Sequence, residues 1–432
     1  NGYELGTLLR SDEPKIFFYV IQDPTEHSSG NALSCAYIRT ETEEFYTSFN
    51  HPDHPESNVV MDPVLNNCIT HDIKTLMHLG WTATDCHDCM FDLTTPIIPH
   101  RTVQQFEYRY GDAIKDLNLV IPISTHLAAL KASVDYHYDY LRSQFNRELR
   151  SDYNHFYNKQ YPSVFCKIER QRLKVDEELF VKTFGEDKRK LIHDGFVNTH
   201  YNLHTNTGRP SNAFGGVNYA ALNKQDDSRS CFISQYDDGI LVNVDFNSFH
   251  VHLIAMYLLE YKLPDDVHTE WGKIYFDKQQ LTQEEYEESK RITFQGLYGH
   301  SLNESTEKID FFHKVIEYRH KLWDEYQING LTSFAGRKIT VPDPNASKVF
   351  NYLIQALETE MSVMFPLKNL IELNHIPILY TYDSMLFDIH ADELDDFIKS
   401  VSSQRYDLTS TLPYPFTVET GKTLKDMTKV QL

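Results

Sequence analysis

The chain has 432 residues, 41 Lys and Arg against 62 Asp and Glu, a formal net charge of −21, and 41% hydrophobic and 13% aromatic residues. This composition supports buried cores and excludes a disordered or low-complexity chain, while the length allows roughly two to four units of about 100–200 residues each. The acidic total excludes a protein that coats nucleic acid nonspecifically, because phosphate contacts need Lys and Arg. Local clusters at Lys167, Arg170, Arg172 and Lys174 and at Lys188, Arg189 and Lys190 still allow a basic groove, beside the plainer reading of a solvated surface.

The chain opens on Asn1 rather than Met, so its natural start is expected upstream or trimmed. The segment from Asn1 to Lys15 has neither a basic n-region nor an apolar h-region, and no run approaches the roughly 18 apolar residues of a membrane span; a cytoplasmic protein is expected, with no membrane partner. The first third reads as α/β. Ile16 to Ile21 is an apolar run suited to a buried strand, Ala36 to Thr40 and Glu44 to Phe49 read as the next two, and three-and-four spacing predicts helices over Asp72 to Leu79, Thr102 to Tyr110 and Leu127 to about Tyr157. The six cysteines are too sparse for a disulfide framework. Cys86-His87-Asp88-Cys89 offers two zinc ligands that His71 or His78 could complete, but no second pair follows at regular spacing, and ordinary thiols are the better reading. Tyr161 to Arg209 is mixed and charged and reads as a connector anchored by Phe165, Ile168 and Leu173.

Gly239 to Val244 is an apolar strand ending in Asp245, followed by helical spacing through Phe249, Leu253, Ile254 and Tyr257. A polar helical region runs from about Asp265 to Asn329, and a long helix from Ser347 to about Asn374. Ile376 to Thr381 and Met385 to Ile389 then flank Tyr382-Asp383-Ser384, which reads as a tight hairpin turn with Asp383 at its tip. Two carboxylates ending strands of one sheet can share a pair of Mg²⁺ ions, which suits in-line displacement at phosphorus. Taken singly, Asp245 serves as well as a helix N-cap and Asp383 as a turn former. Between them, Lys290, Phe294 and Tyr298 stand four apart, so a cation and two rings share one helix stripe that could hold a triphosphate. On spacing alone the rings read as core.

Taken together these residues resemble family A DNA polymerases, the class of bacterial polymerase I and many phage replicases. Asp245 to Ala255, with Asp266-Val267-His268-Thr269 downstream, is similar to that family's motif A, Lys290 to Gly299 to motif B, and Tyr382 to Ile389 to motif C. Thr207-Gly208-Arg209-Pro210-Ser211 with Asn218, Gly336-Arg337-Lys338, and Asn351 with Gln355 follow the family's order. The resemblance implies a right-hand polymerase, with a palm built on an antiparallel sheet, helical fingers and a reduced thumb, behind an RNase H-like exonuclease-type domain: α/β and α+β in several domains. Its divisions fall at 1–140 (exonuclease-like), 141–205 (connector and short thumb), 206–262 (palm), 263–340 (fingers) and 341–432 (palm).

The same resemblance makes Asp245 and Asp383 the ligands of two Mg²⁺ ions, with Mn²⁺ as a substitute. It puts Lys290, Phe294 and Tyr298 on the incoming dNTP, and Arg209, Asn351 and Gln355 on primer and template. Asn218 and His252 fall with the nucleic-acid contacts, and Arg337 on the backbone. Departures stand at His250, where the family's sugar-screening Glu is usual; at Tyr286, where a phosphate-binding Arg is usual and Arg291 could substitute; and at His252, Tyr382 and Ser384. In the N-terminal third the expected acidic positions fall on Gln22-Asp23-Pro24-Thr25 and near Thr75, with Asp135 matching the last, so no proofreading is expected. Thr70-His71-Asp72 and Tyr108-Arg109-Tyr110-Gly111 complete that layout. The short charged stretch before Arg209 implies a stub thumb and a partner protein for processivity. The alternatives are a single-subunit RNA polymerase or primer-synthesising enzyme, a catalytically decayed nucleic-acid-binding scaffold, and a metal-dependent nuclease.

Overall fold

The structure is a computed structural model that describes residues 2–23, 27–49, 51–54, 63–92, 121–145, 153, 155–212, 216–223, 226–299, 301–403 and 415–430. The expected helix over Thr102 to Tyr110 and the Tyr108 to Gly111 match lie outside these residues, as do Pro24 and Thr25. The chain divides into two compact units: residues 1–172 with 196–204 and 213–216, and residues 173–195 with 205–212 and 217–432. No described helix is long and apolar enough to cross a membrane.

The first unit is built on a five-stranded sheet in the order Glu44–Ser48, Leu33–Arg39, Lys15–Ile21, Cys68–Thr70, His87–Asp88. The first three strands are antiparallel and the last two run parallel to Lys15–Ile21. Lys15–Ile21 is apolar without alternation because both its faces are covered. Phe17 and Tyr19 pack with Ile73, Leu76 and Trp81 on one side. Ile16, Phe18 and Val20 meet Leu130 and Val134 of helix Ile123–Tyr136 on the other. Among the described residues, the helix expected from Leu127 is broken at His137 into Ile123–Tyr136 and Tyr138–Ser143.

The expected connector is also more ordered than its composition suggests. Helix Tyr161–Arg170 buries Phe165, Ile168 and Glu169, strand Leu173–Val175 follows, and a single eight-residue helix, Glu177–Phe184, precedes the turn to Ile192. Glu169 explains part of that order. It is fully buried, and its carboxylate takes the Lys74 ammonium at 2.5 Å, the His78 ring at 2.6 Å and the Tyr201 amide at 2.6 Å.

In the second unit the central sheet is antiparallel, in the order Leu379–Tyr380, Ser384–His390, Gly239–Phe246, Phe416–Gly421, Thr428–Lys429. Helices Val267–Phe276, Gln283–Tyr298, Asp310–Asn329 and Ala346–Ser362 share one core that includes Trp271, Leu297, Phe311, Phe312, Val315 and Phe350. Helix Gln283–Tyr298 is set deep by two glycines. A Cβ on Gly296 would meet the Phe312 ring at 2.6 Å, and one on Gly272 of the neighbouring helix would meet Leu281 at 2.5 Å. Thr282 starts the same helix with a reciprocal capping box to Glu285.

Candidate active site

The antiparallel register of Gly239–Phe246 with Ser384–His390 pairs Asp245 with Ser384, one residue beyond Asp383. The Thr381 amide donates to the Ser384 carbonyl at 2.9 Å, which leaves Tyr382 and Asp383 as the two residues of the hairpin turn. Tyr382 adopts a φ of +70°, a conformation that usually falls to glycine. The guanidinium of Arg209 lies 3.6 Å over its ring and holds it there. Ser384 turns its hydroxyl to the Asn243 side chain at 2.6 Å, away from the carboxylates.

Asp245 and Asp383 open onto a cavity of about 910 Å³ whose lining includes Arg209, His250, His252, Lys290, Phe294, Glu358, Glu419 and Lys429. A second cavity of about 400 Å³ also reaches Asp245, Asp383 and Glu419, with Tyr219, Arg229 and Tyr382 among its walls. Asp383 has solvent at the cavity floor but protein on its flanks, so desolvation, with the Glu358 charge added, raises its pKa above the usual carboxylate value. A raised carboxyl beside a second carboxylate is a site that gains by taking up a cation, and hard oxygen donors suit Mg²⁺ or Mn²⁺. The residues present therefore fit a divalent ion.

Lys290, Phe294 and Tyr298 do not share one fate. Phe294 is 48% exposed and lines the cavity, against its reading as core. Lys290 lines it too, with Nζ 3.1 Å from Glu287 and 4.6 Å over the Tyr286 ring. Tyr298 packs against the helical core and reaches back to His250, its hydroxyl 2.5 Å from Nδ1. Arg291 stands apart, on an exposed face in an ion pair with Glu288, and is not among the cavity residues.

The remaining expected residues scatter around this floor. Gln355 bonds Asn351 at 3.2 Å and Thr207 at 3.3 Å, beside Arg209 but outside the cavity lining. Asn218 caps a short turn over Tyr219–Ala221, next to the second cavity. His252 faces the main cavity, and burial, with His268 nearby, pulls its pKa down to about 4. Arg337, expected on the nucleic-acid backbone, is 5% exposed, and its guanidinium donates to the Thr205 carbonyl at 2.8 Å.

Glu358, Glu419 and Lys429 are among the cavity residues that the sequence did not single out. Glu358 is 1% exposed, with its carboxylate 2.7 Å from Arg209 Nε and 2.9 Å from His250 Nε2. Burial pushes its pKa up, but His250 and Arg209 outweigh that and hold it below the ordinary value. Glu419 and Lys429 face one another across strands Phe416–Gly421 and Thr428–Lys429. Glu358 carries little local signal, since the same helix also holds Asn351, Gln355, Thr359 and Glu360 among its apolar positions.

Among the described residues of the first unit, the expected acidic position Asp135 and the neighbouring Asp72 have separate partners. Asp135 is ion-paired to Arg39 at 2.8 Å and Lys131 at 3.1 Å, and Asp72 caps helix Ile73–His78 while accepting from the Thr75 hydroxyl at 2.8 Å. Among the described residues the one close group of possible metal ligands is His27, Glu169 and His200. Glu169 is already engaged by Lys74, and the His27 ring accepts from the Ser29 amide on one nitrogen and faces the Thr199 carbonyl with the other. All six cysteines are buried free thiols.

No protein-family model matches the chain, and no curated protein matches it. Among solved structures, the POL domain of Pol1 from M. smegmatis, in complex with DNA primer-template and dNTP, aligns over 99% of this chain and 98% of its own length, with 13% identity and a TM-score of 0.66. The second unit's sheet, helices and carboxylate turn thus belong to a chain with the fold of a polymerase domain.

Proposed function

We propose that the chain is a template-dependent DNA polymerase of family A, adding dNMP to a primer 3′-hydroxyl with pyrophosphate as leaving group. The observation that carries this reading is the meeting of Asp245 and Asp383, from strands far apart in sequence, at one cavity with Lys290 and Phe294 of a single helix. Two Mg²⁺ ions held by Asp245 and Asp383 would supply the charge that in-line transfer at phosphorus needs. The chain's own side chains do the rest. Lys290 meets the triphosphate, the exposed Phe294 ring packs on base and sugar, and the His250 edge lies where a sugar 2′-substituent would fall. Tyr298 closes the helix behind them. Arg209, Asn351 and Gln355 would receive primer and template, with Asn218 and His252 at the margins.

The first unit, with three antiparallel strands followed by two parallel ones, is read as the RNase H-like exonuclease-type domain. Among its described residues Asp135 is paired with Arg39 and Asp72 caps a helix, which supports a scaffold without proofreading. The single short helix at Glu177–Phe184 supports a reduced thumb, which calls for a processivity partner to keep the enzyme on DNA.

The test is titration of a fluorescent dNTP in Mg²⁺ with a primer-template present. Because Phe294 is exposed, Phe294→Ala leaves the fold intact, and it is expected to weaken binding about tenfold. Absence of dNTP binding by the folded wild type contradicts the reading and favours a decayed scaffold. Equal binding of rNTP favours the RNA-polymerase alternative.

A further inference from the structure

We propose that Glu358 is the positioning residue of this cavity, the buried group that holds the Asp383 turn and the Lys290 helix in register with each other; its kinetic consequence rests on the polymerase reading, its geometry does not. A carboxylate 1% exposed needs charged partners, and here they come from different walls of the cavity. Oε1 accepts from Arg209 Nη2 at 3.3 Å and lies 2.9 Å from His250 Nε2, and Oε2 lies 2.7 Å from Arg209 Nε; the last two are ion-pair contacts rather than aligned hydrogen bonds.

Each partner passes the constraint on. His250 Nε2 lies against that carboxylate, an arrangement that favours a proton on this nitrogen and turns Nδ1 to the Tyr298 hydroxyl at 2.5 Å. The imidazole is thereby fixed in one tautomer and one orientation, and the last turn of the Lys290 helix is tied to it. On the other side, Arg209 lies flat on the ring of Tyr382, the positive-φ residue of the turn that carries Asp383. A backbone held in that region persists only where its surroundings over-determine it, and Arg209 does so from Glu358. Gln at 358 keeps the shape but removes the charge that both partners face and turns an amide N–H toward one of them, so the hold on the two walls weakens.

The test has two arms. In the first, histidine is labelled with nitrogen-15 and His250 is assigned by its loss in His250→Gln. At mildly alkaline pH the wild type is expected to show a protonated Nε2 and an unprotonated Nδ1, and Glu358→Ala a mixture of tautomers. A wild-type ring protonated on Nδ1 instead, or a Glu358→Ala spectrum identical to wild type, overturns the proposal whatever the enzymatic result. If Glu358→Ala does not fold, the isosteric Glu358→Gln is read in its place. In the second arm, primer extension by Glu358→Gln is expected to show a KM for dNTP raised about tenfold, a larger change than in kcat, together with weaker discrimination against rNTP. An unchanged KM and an unchanged discrimination ratio overturn the proposal. If the wild type extends no primer, the polymerase reading fails while the tautomer arm still decides the role of Glu358.

Discussion

The backbone amide of Phe246 donates to the carbonyl of Asp383 at 2.9 Å, closing the end of strand Gly239–Phe246 onto the turn of the neighbouring hairpin. That single bond lies immediately after Asp245 in one strand and at Asp383 itself in the other. The backbones of two acidic residues nearly 140 positions apart in the chain (383 − 245) are therefore brought together by main-chain pairing.

Lys290 and Arg291 are adjacent cations with opposite surroundings, and they give a paired prediction. Lys290→Ala removes a charge from the cavity and is expected to raise the KM for dNTP about 10- to 100-fold. Arg291→Ala removes an exposed partner of Glu288 and is expected to change KM by less than about threefold. Steady-state kinetics at fixed primer-template decides it, and equal effects of the two variants would contradict the placement of Lys290.

The Lys74–Glu169 pair makes a prediction about stability alone. Both side chains are buried, so Glu169→Ala strands an ammonium without its partner and is expected to cost about 3–5 kcal/mol. The double change Lys74→Met with Glu169→Leu removes both charges and should recover much of that loss. Urea unfolding followed by circular dichroism reads both variants, and a Glu169→Ala cost under about 1 kcal/mol contradicts the account.

Acid sensitivity follows from histidines buried in neutral form. Burial lowers the pKa of His71 and of His126 to about 4, against 6.5 in an unfolded chain. Between those values the unfolded state binds more protons than the folded one, so stability is full above about pH 6.5 and falls as the pH drops toward 4. The slope is on the order of 1 kcal/mol per pH unit for each histidine. Urea unfolding at a series of pH values checks this, and a flat profile over that window would show that neither ring is held neutral.

Much of this was legible from the residues, and the parts that were not share a cause. Lys15–Ile21 shows as a strand because both faces are buried, and Asp245 and Asp383 show because apolar runs end on them. Phe294 showed through its spacing from Lys290 and the resemblance, although periodicity alone assigns such a ring to the core, and the packed helices turn it to the cavity. Glu358 reads in sequence as one polar residue on an amphipathic helix, and its partners Arg209 and His250 lie more than 100 positions upstream (358 − 209 and 358 − 250). Glu419 and Lys429 sit on short C-terminal strands with no motif around them. The break at His137 has no glycine or proline to announce it. Long-range pairing, rather than local propensity, decides all of these.

The most direct measurement is extension of an end-labelled primer on a longer template in Mg²⁺, with dNTPs, by wild type and Asp383→Asn. The account predicts template-directed growth by the wild type and a loss of at least about a thousandfold in the variant, whose turn and sheet pairing are otherwise retained. Extension by Asp383→Asn at the wild-type rate would contradict it, since the carboxylate at the turn would then have no part in the chemistry.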